Sequence, residues 1–159
     1  MNLTIDANIW VSHYDYNDKA CHNICSDFLY KVFQRNNIIL HSPYILTVEV
    51  AATFARKMRS INPKECPLAT AKGNIIAGEV INFQNGHTWH VLDKQLSYES
   101  QTCATNAFLK GADSIYVAVA QKSGSILITN DEEIKDRASK LVTVMTPQEW
   151  LKKYSVPQT

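Results

Sequence analysis

Short apolar runs recur along this chain, separated by segments long enough for helices: Leu3-Thr4-Ile5, Ile38-Ile39-Leu40, Val91-Leu92 after Trp89, and Ile126-Leu127-Ile128. These runs lack the polar–apolar alternation of a strand with one wet face, so they read as strands covered on both sides. Strands that alternate with helices pair in parallel through right-handed crossovers. The expected fold is therefore α/β: a three-layer α/β/α sandwich around a central parallel sheet of about five strands.

The spacing predicts strands over 2–6, 38–40, 88–92, 125–129 and 141–144. Helices are expected over 8–14, 18–36, 43–59, 67–84, 95–109, from near 113 to 124, over 131–140 and from 146 onward. The stripe Cys21, Ile24, Cys25, Phe28, Leu29, Val32, Phe33 carries the helical period. Ser42-Pro43 reads as an N-cap followed by proline at the first helical position. Gly111 reads as a helix stop, while Gly73 and Gly78 weaken the 67–84 helix. Asn62-Pro63 and Pro67 punctuate its entry. No repeat or linker divides the 159 residues, so one domain over 1–159 is expected.

Charge excludes little. With 16 Lys+Arg against 15 Asp+Glu, the chain lacks the basic excess common in nucleic-acid binders. Clustered carboxylates would mask a basic rim, so that partner class stays open. No apolar run approaches about 18 residues, which argues against a membrane span and for a cytoplasmic protein.

Four acids occupy positions where an α/β protein places chemistry. Asp6 ends the first apolar run, Glu49 sits inside Ile45-Leu46-Thr47-Val48-Glu49-Val50, Asp113 opens an apolar helix and Asp131 follows the 126–129 run. Taken singly, each has a plain reading: Asp6, Asp113 and Asp131 as caps, Glu49 as part of a solvated helix face. Together they map to the carboxyl edge of one parallel sheet, where such folds bind ligands. Like charges at close range repel and raise one another's pKa, and a hard divalent cation removes that conflict. Carboxylate oxygens suit Mg²⁺ or Mn²⁺, which points to phosphate chemistry.

Ile5-Asp6-Ala7-Asn8-Ile9-Trp10, Thr47-Val48-Glu49-Val50, Gly111-Ala112-Asp113-Ser114-Ile115 and Leu127-Ile128-Thr129-Asn130-Asp131, in that order, resemble the PIN-domain family, and within it VapC-type toxin nucleases. The resemblance implies a Mg²⁺- or Mn²⁺-dependent endoribonuclease, a homodimer and a small antitoxin partner. It carries metal coordination onto Asp6 and Asp113, and makes Glu49 and Asp131 the remaining acids, as ligands or water-holders. Thr129 and Asn8 become supporting residues. The chain is longer than a compact toxin around residues 60–90, where target choice would be shaped. The alternatives are a PIN nuclease of RNA processing and a non-catalytic PIN-like binding or assembly module, which would normally lack one or more of the acids. A dehalogenase-like phosphatase is disfavoured because Asn8 stands where its second aspartate would be.

Arg56, Lys57 and Arg59 follow Glu49 on one helix and are candidate RNA contacts, or simply a solvated helix end. Trp10, Tyr14 and Tyr16 offer base stacking or ordinary packing. His41, His87 and His90 show no ligand spacing. Cys21 and Cys25 are read as reduced thiols on a buried helix face.

Overall fold

A computed structural model describes residues 1–61, 66–81 and 86–154. The elements run β1 (Asn2–Ile5), α1 (Ala7–Tyr14), α2 (Lys19–Phe33), β2 (Ile39–Pro43), α3 (Ile45–Ile61), α4 (Cys66–Ile81), β3 (His87–His90), α5 (Lys94–Ala107), α6 (Gly111–Ser123), β4 (Ile126–Ile128), α7 (Glu132–Ala138), β5 (Val144–Met145) and α8 (Pro147–Tyr154). All strand pairs are parallel, in the order β3-β2-β1-β4-β5. The expected α/β/α architecture and five-strand parallel sheet are what the chain adopts. The Asn62-Pro63 turn and the end of the predicted 67–84 helix lie outside the described residues.

The strand order grows away from β1 in one direction through β2 and β3, then returns to its other side with β4. Right-handed crossovers therefore place the helices joining β1, β2 and β3 on one face, and α5, α6 and α7 on the other. The reversal opens a crevice between the carboxyl ends of β1 and β4.

Apolar burial explains why the middle strands read so plainly. Leu3, Ile5, Leu40, Leu127 and Ile128 are all fully or almost fully buried. Helix α6 is buried from Ser114 through Ala120, packing on β1, β2 and β4 with α5 behind it. The α2 stripe turns inward as well: Phe28 meets Trp150 of α8 edge-on at 5.1 Å. The open apolar surface instead lies between α3 and α4, around Val48, Ala52 and Ala77.

Several boundaries differ from expectation. Ser42 and Pro43 belong to β2 and do not start α3. Ser42 Oγ hydrogen-bonds His87 Nε2 at 2.8 Å, and the next available amide, Tyr44 N, donates to His90 O at 3.0 Å. Proline closes a strand as readily as it opens a helix, because either position dispenses with its missing N–H. Helix α2 stops at Phe33, where Gln34 caps it, rather than at 36. Gly111 starts α6, and Phe108 takes the left-handed turn that ends α5, with φ of 54°. Residues 141–142 finish the α7 turn by donating to Ala138 O, which delays β5 to Val144. Gly73 is accommodated within α4 because a Cβ there would lie 2.7 Å from the Ala51 carbonyl oxygen of α3. The two helices meet through that missing side chain.

Candidate functional site

The crevice between β1 and β4 is assembled from four separate elements. Asp6 follows β1 and caps α1; its backbone N–H is held by Ile128 O of β4 at 3.0 Å. Glu49 lies one turn into α3, Asp113 in the first turn of α6, and Asp131 caps α7. The caps expected for Asp6 and Asp131 are real, and both residues have a second environment.

Asp6 is only 7% exposed. Its Oδ2 accepts from Thr129 Oγ1 at 2.7 Å and Asn8 Nδ2 at 2.6 Å, whereas Oδ1 has only a long 3.4 Å bond from Asn8 N. Thr129 Oγ1 in turn accepts from Asn8 Nδ2 at 3.1 Å and Asp131 N at 3.0 Å. One hydroxyl thus ties the loops after β1 and β4 together. Asp131 Oδ1 accepts from Glu133 N and Ile134 N, at 2.8 and 3.2 Å. This fixes the carboxylate at the positive end of a short helix.

The acids act on one another. Asp6 is pushed up to about 7, foremost by burial, against the lowering hydrogen bonds of Thr129 and Asn8, with Glu49 and Asp113 adding repulsion. Asp113 is pushed up to about 6, first by burial and then by Asp131, with Glu49 contributing and Lys110 opposing. Asp113 is the residue that feels both ends of the cluster. The carboxylates share one field without closing into a tight cage: among the described residues, no three His, Cys, Asp or Glu side chains converge on a single ion position. Hard cations that retain several waters need few protein oxygens, and this open acidic set fits such a cation. A soft ion would find no ligand among these groups.

Two features escaped the sequence reading. Tyr116 lies three residues after Asp113, on the same side of α6, and is 1% exposed. Burial foremost, then Glu49 and Asp6, hold the pKa of its hydroxyl far above the ordinary range; Glu49 and the Ala7 backbone lie beside that hydroxyl, and none of the described residues meets it in good hydrogen-bond geometry. The i, i+3 spacing from Asp113 was the available signal. The second is a charged rim. Lys110 lies 2.9 Å from Glu133 Oε2, and Arg137 lies 2.8 Å from Glu133 Oε1.

The basic trio is placed differently. Arg56 donates to Thr53 Oγ1 within its own helix, Lys57 pairs with Asp15 at 2.9 Å, and Arg59 is exposed. Lys110 is the cation that acts on Asp113. Trp10 is buried and stacks on Phe33, so it is core. The three histidines cluster on β2 and β3, where His41 Nδ1 and His90 Nε2 lie 3.2 Å apart. Cys25 is buried but Cys21 only half-buried; their sulfurs are 3.9 Å apart and both accept from Asn130 Nδ2 at 3.4 Å.

The fold has close counterparts among solved structures. VapBC2 from Rickettsia felis, solved bound to a promoter DNA fragment, superposes with a TM-score of 0.62 at 10% identity, covering 92% of this chain and 98% of that one. VapBC-1 from nontypeable Haemophilus influenzae gives 0.62 at 14% identity, covering 93% and 99%. VapC20 of Mycobacterium tuberculosis, a sarcin–ricin loop cleaving toxin, gives 0.63 at 12% identity, covering 84% and 93%. No curated protein matches by sequence. At such identities the likeness is one of fold, and family membership rests on the sequence itself. The PIN domain family model matches residues 3–140, nearly the whole described core and all four acids. The chain belongs to the PIN domain family.

Proposed function

We propose that this protein is a metal-dependent endoribonuclease, the toxin of a toxin–antitoxin pair. The observation that carries the reading is the meeting of four carboxylates from four elements, with Asp113 pushed up to about 6 by burial and its acidic neighbours. Such a cluster is destabilised without a cation and is poised to take one. The RNA substrate is inferred from family membership and from the similar fold of VapC20, whose own target is the sarcin–ricin loop.

In this proposal Asp6 and Asp113 hold Mg²⁺ or Mn²⁺, and Glu49 and Asp131 complete the acidic set as ligands or water-holders. The cation would supply positive charge for the phosphate and lower the pKa of a bound water. Thr129 and Asn8 anchor Asp6 Oδ2 and leave Oδ1 the freer oxygen. Glu49 and Asp131, fixed on separate helices, would orient water for in-line attack on the phosphodiester. Lys110 is placed to meet a phosphate at the rim.

Among the described residues, no helix is long and apolar enough to cross a membrane. The proposal places the enzyme in the cytoplasm with its RNA. A homodimer is proposed, formed partly by α2 and α3; beside α4, α3 leaves the apolar surface around Val48 and Ala52 open. The antitoxin is proposed to insert an Arg or Lys among the acids. Purified protein should cleave a mixed RNA pool with Mn²⁺ and lose that activity in EDTA. Expression should slow bacterial growth, and the Asp6→Asn form should not. RNA cleavage without any growth defect would leave a processing nuclease in place of the toxin, and an absence of metal-dependent cleavage would sink the enzyme.

A further inference from the structure

A second concavity, of about 370 Å³, lies where α1, α3 and α4 come together. Such a volume is in the range of small-molecule sites, about 300–1,000 Å³. Tyr14, Tyr16, Phe54, Lys72, Ile75 and Glu79 line it. Phe54 is buried and gives it an apolar floor, whereas Tyr16 is 70% exposed, with its ring leaning on His22 at 4.5 Å. Inside, Tyr14 donates from its hydroxyl to Glu79 Oε2 at 2.5 Å. Among the described residues, Glu79 forms no ion pair, and Lys72 is without a partner of any kind.

The position of this pocket relative to the acids follows from the helices. Helix α1 runs from its Asp6 cap to Tyr14; α3 carries Glu49 and, five residues on, Phe54. At 1.5 Å per residue, the pocket lies roughly 8–12 Å along both helices from the carboxylates. The ion pair of Lys57 with Asp15 closes the far end of the α1–α3 pair. The acids and the pocket are thus set at successive positions along the same pair of packed helices.

We propose that this pocket receives a single unpaired guanine of an RNA strand whose adjoining backbone reaches the carboxylates, an inference that rests on the ribonuclease reading above. An aromatic wall accepts any base by stacking, and unpaired bases are the ones proteins read in this way. The carboxylate selects among them. Tyr14 occupies one lone pair of Glu79 and leaves the other oxygen free, so Glu79 can accept from adjacent N–H groups. Guanine presents two such donors side by side on its Watson–Crick edge, N1–H and the N2 amino group. Uracil offers one, and adenine and cytosine set an acceptor beside their amino group. Lys72 supplies the charge for a neighbouring phosphate. An apolar side chain from a protein partner would strip water from Glu79 and return no donor, which is costly.

The test is binding of the four nucleoside 5′-monophosphates to the full chain in EDTA, followed by calorimetry or by amide shifts of the pocket residues. GMP should bind at least about tenfold more tightly than AMP, CMP or UMP. Glu79→Gln, an exposed and isosteric change, should abolish the preference by presenting an amino group to guanine's donors. Tyr16→Ala should weaken all four nucleotides by about fivefold or more through lost stacking. Equal affinities for the four nucleotides, no binding at all, or an unchanged guanine preference in Glu79→Gln would overturn the assignment. Because the assay contains no metal and no cleavage, it fails or succeeds separately from the nuclease reading, which the Mn²⁺ cleavage assay decides.

Discussion

Thr129 Oγ1 donates to Asp6 Oδ2 at 2.7 Å, joining residues 123 positions apart across the β1–β4 crevice. The same hydroxyl accepts the Asp131 amide, so a single oxygen sets the positions of two of the four acids.

Thr129→Val keeps the side-chain shape and removes this link. The Thr129 hydrogen bond lowers the Asp6 pKa, so its loss should push that pKa further above about 7. The acidic, ascending limb of the metal-dependent pH–rate profile should shift to higher pH, and activity near neutrality should fall at least tenfold. A profile superimposable on wild type would show that Thr129 does not govern Asp6.

Stability should depend on pH in a defined direction. Asp6 is raised from 3.8 to about 7 in the folded chain, and Asp113 to about 6. Between the unfolded and folded values the native state binds more protons than the unfolded one, so stability falls as pH rises. Metal-free protein should therefore be more stable near pH 5 than near pH 8, with Asp6 responsible for at most about 2.5 kcal/mol of that difference, since its part is lost between pH 5 and about 7. Asp6→Asn should be the more stable form at pH 8, and saturating Mg²⁺ should flatten the wild-type dependence. Denaturant midpoints across this range give the answer; a rise from pH 5 to 8 without metal would contradict it.

Asp6→Asn and Asp113→Asn should each cut metal-dependent RNA cleavage by at least a hundredfold with the fold retained, judged by circular dichroism. Wild-type rates in either variant would remove that acid from the site.

Tyr116→Phe should leave stability unchanged or raise it by about 1 kcal/mol, because it deletes a buried hydroxyl that lacks a partner. Thermal unfolding of metal-free protein is the measurement. A clear loss of stability would mean that the hydroxyl is held, with Glu49 the nearest candidate.

Two glycines of α4 should respond oppositely to alanine. A Cβ at Gly73 would stand 2.7 Å from the Ala51 backbone oxygen, so Gly73→Ala should destabilise by about 1–3 kcal/mol. Gly78 faces open space, and Gly78→Ala should stabilise by about 0.5–1 kcal/mol through helix propensity. Urea midpoints that move together would refute the close α3–α4 approach.

Local chemistry made much of this protein readable from its residues alone. Ile126-Leu127-Ile128 has no polar position to leave in water, and between Gly124 and Asn130 it is too short for a helix, so it reads as a strand covered on both faces. The α2 stripe repeats at helical spacing for the same kind of reason. Asp6 and Asp131 cap helices because a short acid before a helix satisfies its free amides, and each stands at the sheet's carboxyl edge because it comes just after a parallel strand.

Tertiary packing decided what local chemistry left degenerate. Ser42-Pro43 suits a strand end or a helix start equally, and the β3 backbone chose the former. Phe108 accepted the left-handed turn that Gly111 was free to take, since α5 and α6 had to meet where they do. Lys57 pairs with Asp15 where α1 packs on α3, a partner 42 positions away in the chain. Tyr116 offers a similar case: its place on α6 was legible, but its unpartnered hydroxyl beside Glu49 was not. A side chain's burial is the sum of contacts from elements far apart in sequence, and no window of neighbouring residues contains that sum.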